Sequence, residues 1–252
     1  MQLFLALMMG VFIGGVAGYL GTLMLSQRMA LVAGPLGHLT LPGVALAYIF
    51  GFDVSLGAFP FVILGIILIW LFEIRTGLPM EALTAIVFAI GVAITFLVLP
   101  EEETVPALIG DISQISIFVT MITLILSLII FFATKRIYSK MVLASISEDL
   151  AKVEGIDLKK YNLVYLVCIA LTVALGVRIV GGLMTAAIVA IPACTSRNLS
   201  KNLNQYSYRG LILGSLACAL GILCFDLTDI SAGPLIIMIS ALFFLTSLIL
   251  KR

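Results

Sequence analysis

The chain has 252 residues, of which 62% are hydrophobic and only 11% charged, and its formal net charge is +1. A soluble domain is about half apolar and about a quarter charged, and a domain of this size cannot hide such an excess in one water-facing fold. Lipid is the solvent that fits, and the lack of any basic patch argues against nucleic acid as a partner.

Apolar segments long enough to cross a bilayer lie at 3–25, 29–50, 54–72, 79–99, 115–133, 161–177, 179–195, 210–225 and 232–250. The expected fold is all-α, a polytopic membrane protein with eight or nine transmembrane helices in a single domain over 1–252. The count stays open around Arg178, where residues 176–182 leave little room for a loop and a partial or re-entrant element is the alternative.

The first segment has no basic residue before it and outruns a signal peptide's apolar core, so it reads as a retained span of a mature chain. Gly10, Gly14 and Gly18 recur every four residues along it, a small-residue face for close helix packing.

The second segment is interrupted. Residues 33–43 contain Gly34, Pro35, Gly37, Pro42 and Gly43, a density that breaks or kinks a helix and frees carbonyls and amides. In lipid such backbone survives only when buried in protein or lining a cavity, and transporters place broken helices at their substrate sites. His38, the single histidine, lies in this stretch. An ionisable group inside a membrane is a candidate functional residue; a neutral imidazole bonded to a freed carbonyl is the alternative.

Lys and Arg collect on the cytoplasmic side of membrane proteins. With the N-terminus outside, Arg28, Arg75, Lys135, Arg136, Lys140, Lys152, Lys159, Lys160, Arg197, Lys201, Arg209, Lys251 and Arg252 fall inside, and only Arg178 falls outside. Asp53, Glu101, Glu102, Glu103, Asp111, Asp226 and Asp229 take the other side, which makes the C-terminus cytoplasmic.

The long inside segment 135–160 carries a short expected helix at about 145–156. Ser145 and Glu148 fit a capping box, Glu148 and Asp149 suit the positive end of the helix dipole, and Gly155 supplies a left-handed stop. Ile146, Leu150 and Val153 form one apolar stripe. That pattern alone fits a helix on lipid headgroups as well as one docking a protein. Toward the C-terminus, Ser231 is a candidate N-cap for the last span and Pro234 suits its first turn. Cys168, Cys194, Cys218 and Cys224 show no CxxC spacing and read as buried packing residues. No GxxxxGK[ST], HExxH or GxSxG motif occurs, so the chain does not itself bind ATP by a P-loop and lacks the common hydrolase signatures.

The order of several short motifs then resembles the membrane permease of zinc/manganese ABC importers over nearly the whole length. The stretches are Arg28-Met29-Ala30-Leu31, His38-Leu39-Thr40-Leu41-Pro42-Gly43-Val44-Ala45, Ile109-Gly110-Asp111-Ile112 and Ser147-Glu148-Asp149-Leu150-Ala151 with Glu154-Gly155. Further on come Arg178-Ile179-Val180-Gly181, Ile191-Pro192-Ala193 and Ala232-Gly233-Pro234. The resemblance implies an ATP-driven import permease, zinc ahead of manganese as cargo, with no cofactor held by the chain and no enzymatic step of its own. It implies three partners: a second copy of the chain, a cytosolic ABC ATPase that holds the ATP, and an extracytoplasmic metal-binding protein. On this resemblance Ser147, Glu148, Asp149, Leu150, Ala151, Glu154 and Gly155 form the coupling helix that fits a groove on the ATPase.

One departure stands out. The family pattern has Asp-Ala-Leu-Ser-His before Leu-Pro-Gly, a carboxylate and an imidazole four residues apart, a pair suited to Mn²⁺ or Zn²⁺. Here Gly34 occupies the Asp position. His38 and Asp111 are the candidate residues of the metal pathway, with Gly34, Pro35, Gly37, Pro42 and Gly43 as its broken-helix gate. The missing carboxylate keeps a second cargo open, a chelated metal or small organic cofactor. An intramembrane enzyme pairing His38 with Asp111, Asp226 or Asp229 is the third reading, and a purely structural membrane subunit the fourth.

Overall fold

The computed structural model describes residues 2–29, 33–52, 54–98, 115–228 and 230–250, and every regular element among them is an α-helix. In chain order these are α1 (Gln2–Ser26), α2 (Ala33–His38), α3 (Leu41–Phe50), α4 (Val54–Thr76), α5 (Met80–Val98), α6 (Ile117–Ile146), α7 (Glu148–Val153), α8 (Leu158–Leu199), α9 (Leu203–Thr228) and α10 (Ala232–Leu250). Among the described residues six helices are long and apolar enough to cross a membrane: Gln2–Ser26, Leu56–Thr76, Ile117–Ile146, Leu158–Gly182, Leu203–Thr228 and Ala232–Leu250. A shorter apolar helix covers Ala82–Thr95.

Helices α1 and α8 form the centre. Met9, Ile13, Leu20 and Leu23 of the first, and Leu166, Ile169 and Val173 of the second, are fully buried. Around them α4, α5, α6 and α10 expose large apolar side chains such as Leu64, Ile90, Phe132 and Leu245. In water that face would be an aggregation surface; in a bilayer it is ordinary contact with lipid.

The small-residue face of α1 is the one that packs. A β-carbon on Gly14 or Gly18 would run into the backbone carbonyl of Gly214 or Gly210 on α9. Association inside lipid relies on close packing and interhelical hydrogen bonds, because lipid tails are as apolar as the helices. Both are present: the Ser215 hydroxyl of α9 donates to the Val11 carbonyl of α1 at 2.8 Å. On another flank Thr22 Oγ1 and the Tyr138 hydroxyl share a hydrogen bond of 2.9 Å, which ties α1 to α6.

Several boundaries differ from the sequence expectation. The segment 29–50 is two short helices, separated at Leu39 and Thr40, rather than one span. The expected loop after residue 133 is helical, because α6 runs on to Ile146 and carries Lys135, Arg136 and Lys140. The short helix expected at about 145–156 spans only Glu148–Val153, and its N-cap is Ser147, whose hydroxyl accepts from the Leu150 amide at 3.2 Å. Ser145 is not the cap. It still belongs to α6, where its hydroxyl donates to the Val142 carbonyl. The last helix begins at Ala232 with Pro234 in its first turn, as expected.

The doubtful pair around Arg178 is one sharply bent element. Gly181 sits at φ 77, ψ 166 inside α8, a left-handed backbone region that a β-carbon disfavours. The chain folds back there. The β-carbon position of Gly176 lies 3.1 Å from Thr185 Cγ2, whereas nine residues of continuous helix would separate them by about 13 Å. The Thr185 hydroxyl closes the bend by donating to the Gly181 carbonyl at 2.8 Å.

Candidate functional site

Two broken elements meet inside the helical bundle. The tip of the α8 bend presents Gly182 to α2: a β-carbon on Gly37 would lie 2.5 Å from the Gly182 carbonyl oxygen and 3.0 Å from Thr185 Oγ1. Leu41, at the start of α3, reaches the same tip. The junction between α2 and α3 is filled by Leu39, whose methyl groups would come within 2.7 Å and 2.5 Å of β-carbons on Gly65 of α4 and Gly91 of α5. Further along, Gly43 and Gly57 bring α3 and α4 into backbone contact. The α2–α3 pair is thus clasped by glycines on three neighbouring helices, and its irregular backbone is enclosed in protein as a membrane interior requires.

The carbonyls freed by the break are satisfied locally. The Gly37 carbonyl accepts both the Thr40 amide at 3.2 Å and the Thr40 hydroxyl at 2.5 Å, and the Pro35 carbonyl accepts the Leu39 amide at 3.1 Å. His38 is left out of this arrangement. Its ring is half-buried, makes no hydrogen bond among the described residues, and leans on Phe88 of α5 with centroids 5.2 Å apart. The alternative of an imidazole tied to a freed carbonyl is therefore not what the fold does, because Thr40 takes that carbonyl. Phe88, Thr185 and Gly182 complete the neighbourhood, and no local sequence signal distinguished them.

The remaining candidates divide. Gly34 and Pro35 lie in α2, Gly37 packs on the bend, and Pro42 and Gly43 sit buried in the first turn of α3. Asp111 and Asp229 lie outside the described residues, as do Glu101, Glu102 and Glu103. Among the described residues no three His, Cys, Asp or Glu side chains come together to hold a metal ion.

The second candidate surface is α7. Its first turn carries Glu148 and Asp149, which both pair with Lys152 at 3.8 Å. It ends on Gly155 at φ 72, with the Ile156 amide bonded to the Ala151 carbonyl and the Gly155 amide to the Lys152 carbonyl. That is a Schellman stop, and glycine is the residue it favours. Ala151 is fully buried and anchors the helix, while Ile146, Leu150 and Val153 are 76%, 47% and 83% exposed. Ile146 ends α6, and the extended Ser147 separates it from α7, so the expected single stripe is split. Leu150 and Val153 on the capped, anchored α7, beside Ile146, still form an exposed apolar surface suited to a partner or a lipid face.

Comparison with known proteins is consistent with this architecture. The model of the ABC 3 transport family matches residues 1–251. The high-affinity zinc uptake system membrane protein ZnuB of Haemophilus influenzae is 28% identical, covering 98% of this chain and 96% of that protein. The manganese import system permease protein ScaB of Streptococcus gordonii is 25% identical, covering 96% of this chain and 88% of that one. Among solved structures, PsaBC from Streptococcus pneumoniae in complex with Fab contains a chain that superposes with a TM-score of 0.82 at 25% identity, over 96% of this chain and 89% of that chain.

Proposed function

The chain belongs to the ABC 3 transport family, and from that premise we propose that it is the membrane permease of an ATP-driven importer whose cargo is a divalent metal ion, zinc or manganese. The relatives named for zinc uptake and for manganese import support the cargo class. The placement of His38 carries the reading. It is the single histidine, it stands at a break in a membrane-embedded helix pair, and its half-buried ring makes no hydrogen bond among the described residues. A neutral imidazole suits Zn²⁺, whereas Mn²⁺ favours carboxylate, carbonyl and water oxygens in its shell.

The N-terminus lies outside and the C-terminus in the cytoplasm, with eight or nine passes in one permease domain over residues 1–252. The basic residues of the loops support that orientation. ATP is held by a separate cytosolic ATPase. The exposed Leu150 and Val153, with Ile146 beside them at the end of α6, support α7, with Ser147, Glu148, Asp149, Ala151, Glu154 and Gly155, as the element that seats on it. Two copies of the permease, two ATPases and an extracytoplasmic metal-binding protein make the working assembly. ATP-driven closure rocks the permeases between outward-open and inward-open states.

A second cargo, a chelated metal or small organic cofactor, is favoured by one observation: Gly34 provides no carboxylate beside His38. Uptake of radiolabelled Zn²⁺ and Mn²⁺ by cells expressing the complete transporter decides between them. His38→Ala is expected to lower metal uptake about tenfold, the scale of one lost charge-assisted contact, and to change the Zn²⁺ to Mn²⁺ ratio. Unchanged rate and ratio remove His38 from the pathway. A wild-type transporter that moves neither free ion supports the second cargo.

A further inference from the structure

Helix α1 packs against both α6 and α9, which scarcely touch each other. The gap between them is an apolar groove of about 250 Å³, walled by Val11 and Phe12 of α1, Leu128 and Phe131 of α6, and Leu211 of α9. Two serines complete the lining without making it polar. The Ser215 hydroxyl is spent on the Val11 carbonyl, and the Ser127 oxygen is buried. Leu128 on the groove and Leu216 next to Ser215 are 45% and 47% exposed, so the opening faces the lipid side of the bundle.

Aromatic rings close one end. Tyr19 stands between Phe131 and Tyr208, with ring centroids 5.0 Å and 5.9 Å away. Lys135 caps this end, its Nζ 6.0 Å from the centroids of both Phe131 and Tyr208. It is exposed and makes no ion pair among the described residues. No carboxylate of the three helices can reach it. Helices α1 and α6 contain none, and Asp226, the single one of α9, lies about 27 Å along that helix from Tyr208.

The depth of the groove matches one leaflet. Helix α6 starts at Ile117, and Lys135 lies about 27 Å farther along it, close to the hydrocarbon thickness of about 30 Å. Ser127, the α6 lining residue farthest from Lys135, is about 12 Å from it along the axis, nearly half that thickness.

We propose that this groove binds one anionic phospholipid, with an acyl chain lying along it and the phosphate on the Lys135 ammonium. The site requires only that α1, α6 and α9 cross a bilayer, and it stands whatever cargo is transported. Left unfilled, the lining would forfeit van der Waals contacts. An acyl chain from the surrounding leaflet supplies them and desolvates no polar group. The ammonium then selects the headgroup, because a basic residue at the leaflet surface favours an anionic lipid. The bound lipid bridges α6 and α9 where protein contacts are sparse. A second copy of the chain is a poorer occupant. In a two-fold dimer about the membrane normal, the two copies of Lys135 would stand at the same depth, with no carboxylate on either face to offset them.

The test uses the purified full-length chain, delipidated in mild detergent and titrated with phosphatidylglycerol or phosphatidylcholine, with bound lipid counted by native mass spectrometry. The wild type is expected to retain one phosphatidylglycerol in preference to phosphatidylcholine. Lys135→Gln is expected to lower phosphatidylglycerol retention about fivefold, the worth of one basic residue at an anionic surface, and to leave phosphatidylcholine unchanged. Lys135→Arg keeps the preference. Leu128→Trp fills the mouth of the groove and is expected to lower retention of both lipids, with thermal unfolding in detergent unchanged because Leu128 already faces outward. Equal retention of both lipids by the wild type overturns the site. So does a preference that survives Lys135→Gln, or Leu128→Trp binding lipid like the wild type. A lipid-free wild-type dimer that Leu128→Trp splits into monomers would give the groove to a second copy, and overturns it too.

Discussion

Gly37 and Gly182 approach so closely that a β-carbon on the first would stand 2.5 Å from the carbonyl oxygen of the second. This contact joins the two irregular elements of the bundle, the α2–α3 break and the α8 bend. His38 is the next residue along α2, so any displacement of the bend is passed to the imidazole through one residue of chain. Packed interiors shift between discrete arrangements rather than deforming smoothly, and a glycine-to-glycine contact has no flexible side chain to absorb movement.

Gly37→Ala is therefore expected to force α2 away from the bend. Overpacking of this kind costs about 1–3 kcal/mol, because the atom met is backbone rather than a movable side-chain tip. Thermal unfolding in detergent checks the stability loss, and metal uptake is expected to fall with it. A variant as stable and active as the wild type would show that the contact can relax without consequence.

The break was legible in the sequence because proline and glycine act locally: Pro35, Gly37, Pro42 and Gly43 interrupt a helix whatever surrounds it. The same holds for Gly155, which stops α7 through its own backbone. The small face at Gly10, Gly14 and Gly18 was readable for a similar reason, yet its partners Gly210 and Gly214 were not. Which two small faces meet is decided by tertiary packing. Leu39 between Gly65 and Gly91, the Phe88 ring beside His38, and the groove shared by Leu128 and Leu211 all join residues far apart in the chain. The N-cap was misplaced for a competing local reason. Ser145 with Glu148 matches the capping box, but α6 continues to Ile146 and uses Ser145 within its own last turn, leaving Ser147 to open α7.

That distinction gives a sharp pair of variants. Ser147→Ala removes the acceptor of the Leu150 amide and is expected to cost α7 about 1 kcal/mol, the usual worth of an N-cap. Ser145→Ala is expected to be neutral. In a reconstituted transporter, ATP hydrolysis stimulated by the cargo-loaded binding protein should fall for the first and hold for the second. Equal behaviour of the two would mean that the cap does not govern coupling.

The stripe itself is tested by charge. Leu150 and Val153 project from a helix anchored by the buried Ala151, so Leu150→Asp and Val153→Asp leave the membrane bundle untouched. Each is expected to abolish copurification of the ATPase while the permease keeps its thermal stability. Charge reversal at Glu148 with Asp149, or Gly155→Pro, is expected to leave ATP hydrolysis uncoupled from transport. Retained copurification and normal coupling would instead place α7 on the lipid headgroups.

After α7 the chain re-enters the bundle at Asp157, the N-cap of α8. The Lys160 side chain, 3.1 Å away, and the Lys160 amide, 3.3 Å from Oδ1, hold the Asp157 carboxyl below its usual value of 3.8. A carboxyl depressed on folding contributes stability that is fully present above its unfolded value and fades as pH falls through the lower folded one. The amide of Lys160 is therefore expected to stay protected from hydrogen exchange at neutral pH, after correction for the intrinsic rate, and to lose protection only below pH 3.8. Asp157→Asn keeps an acceptor but no titrating charge, so its protection should not change across that window. Loss of protection at the same pH in both proteins would assign the transition to another group.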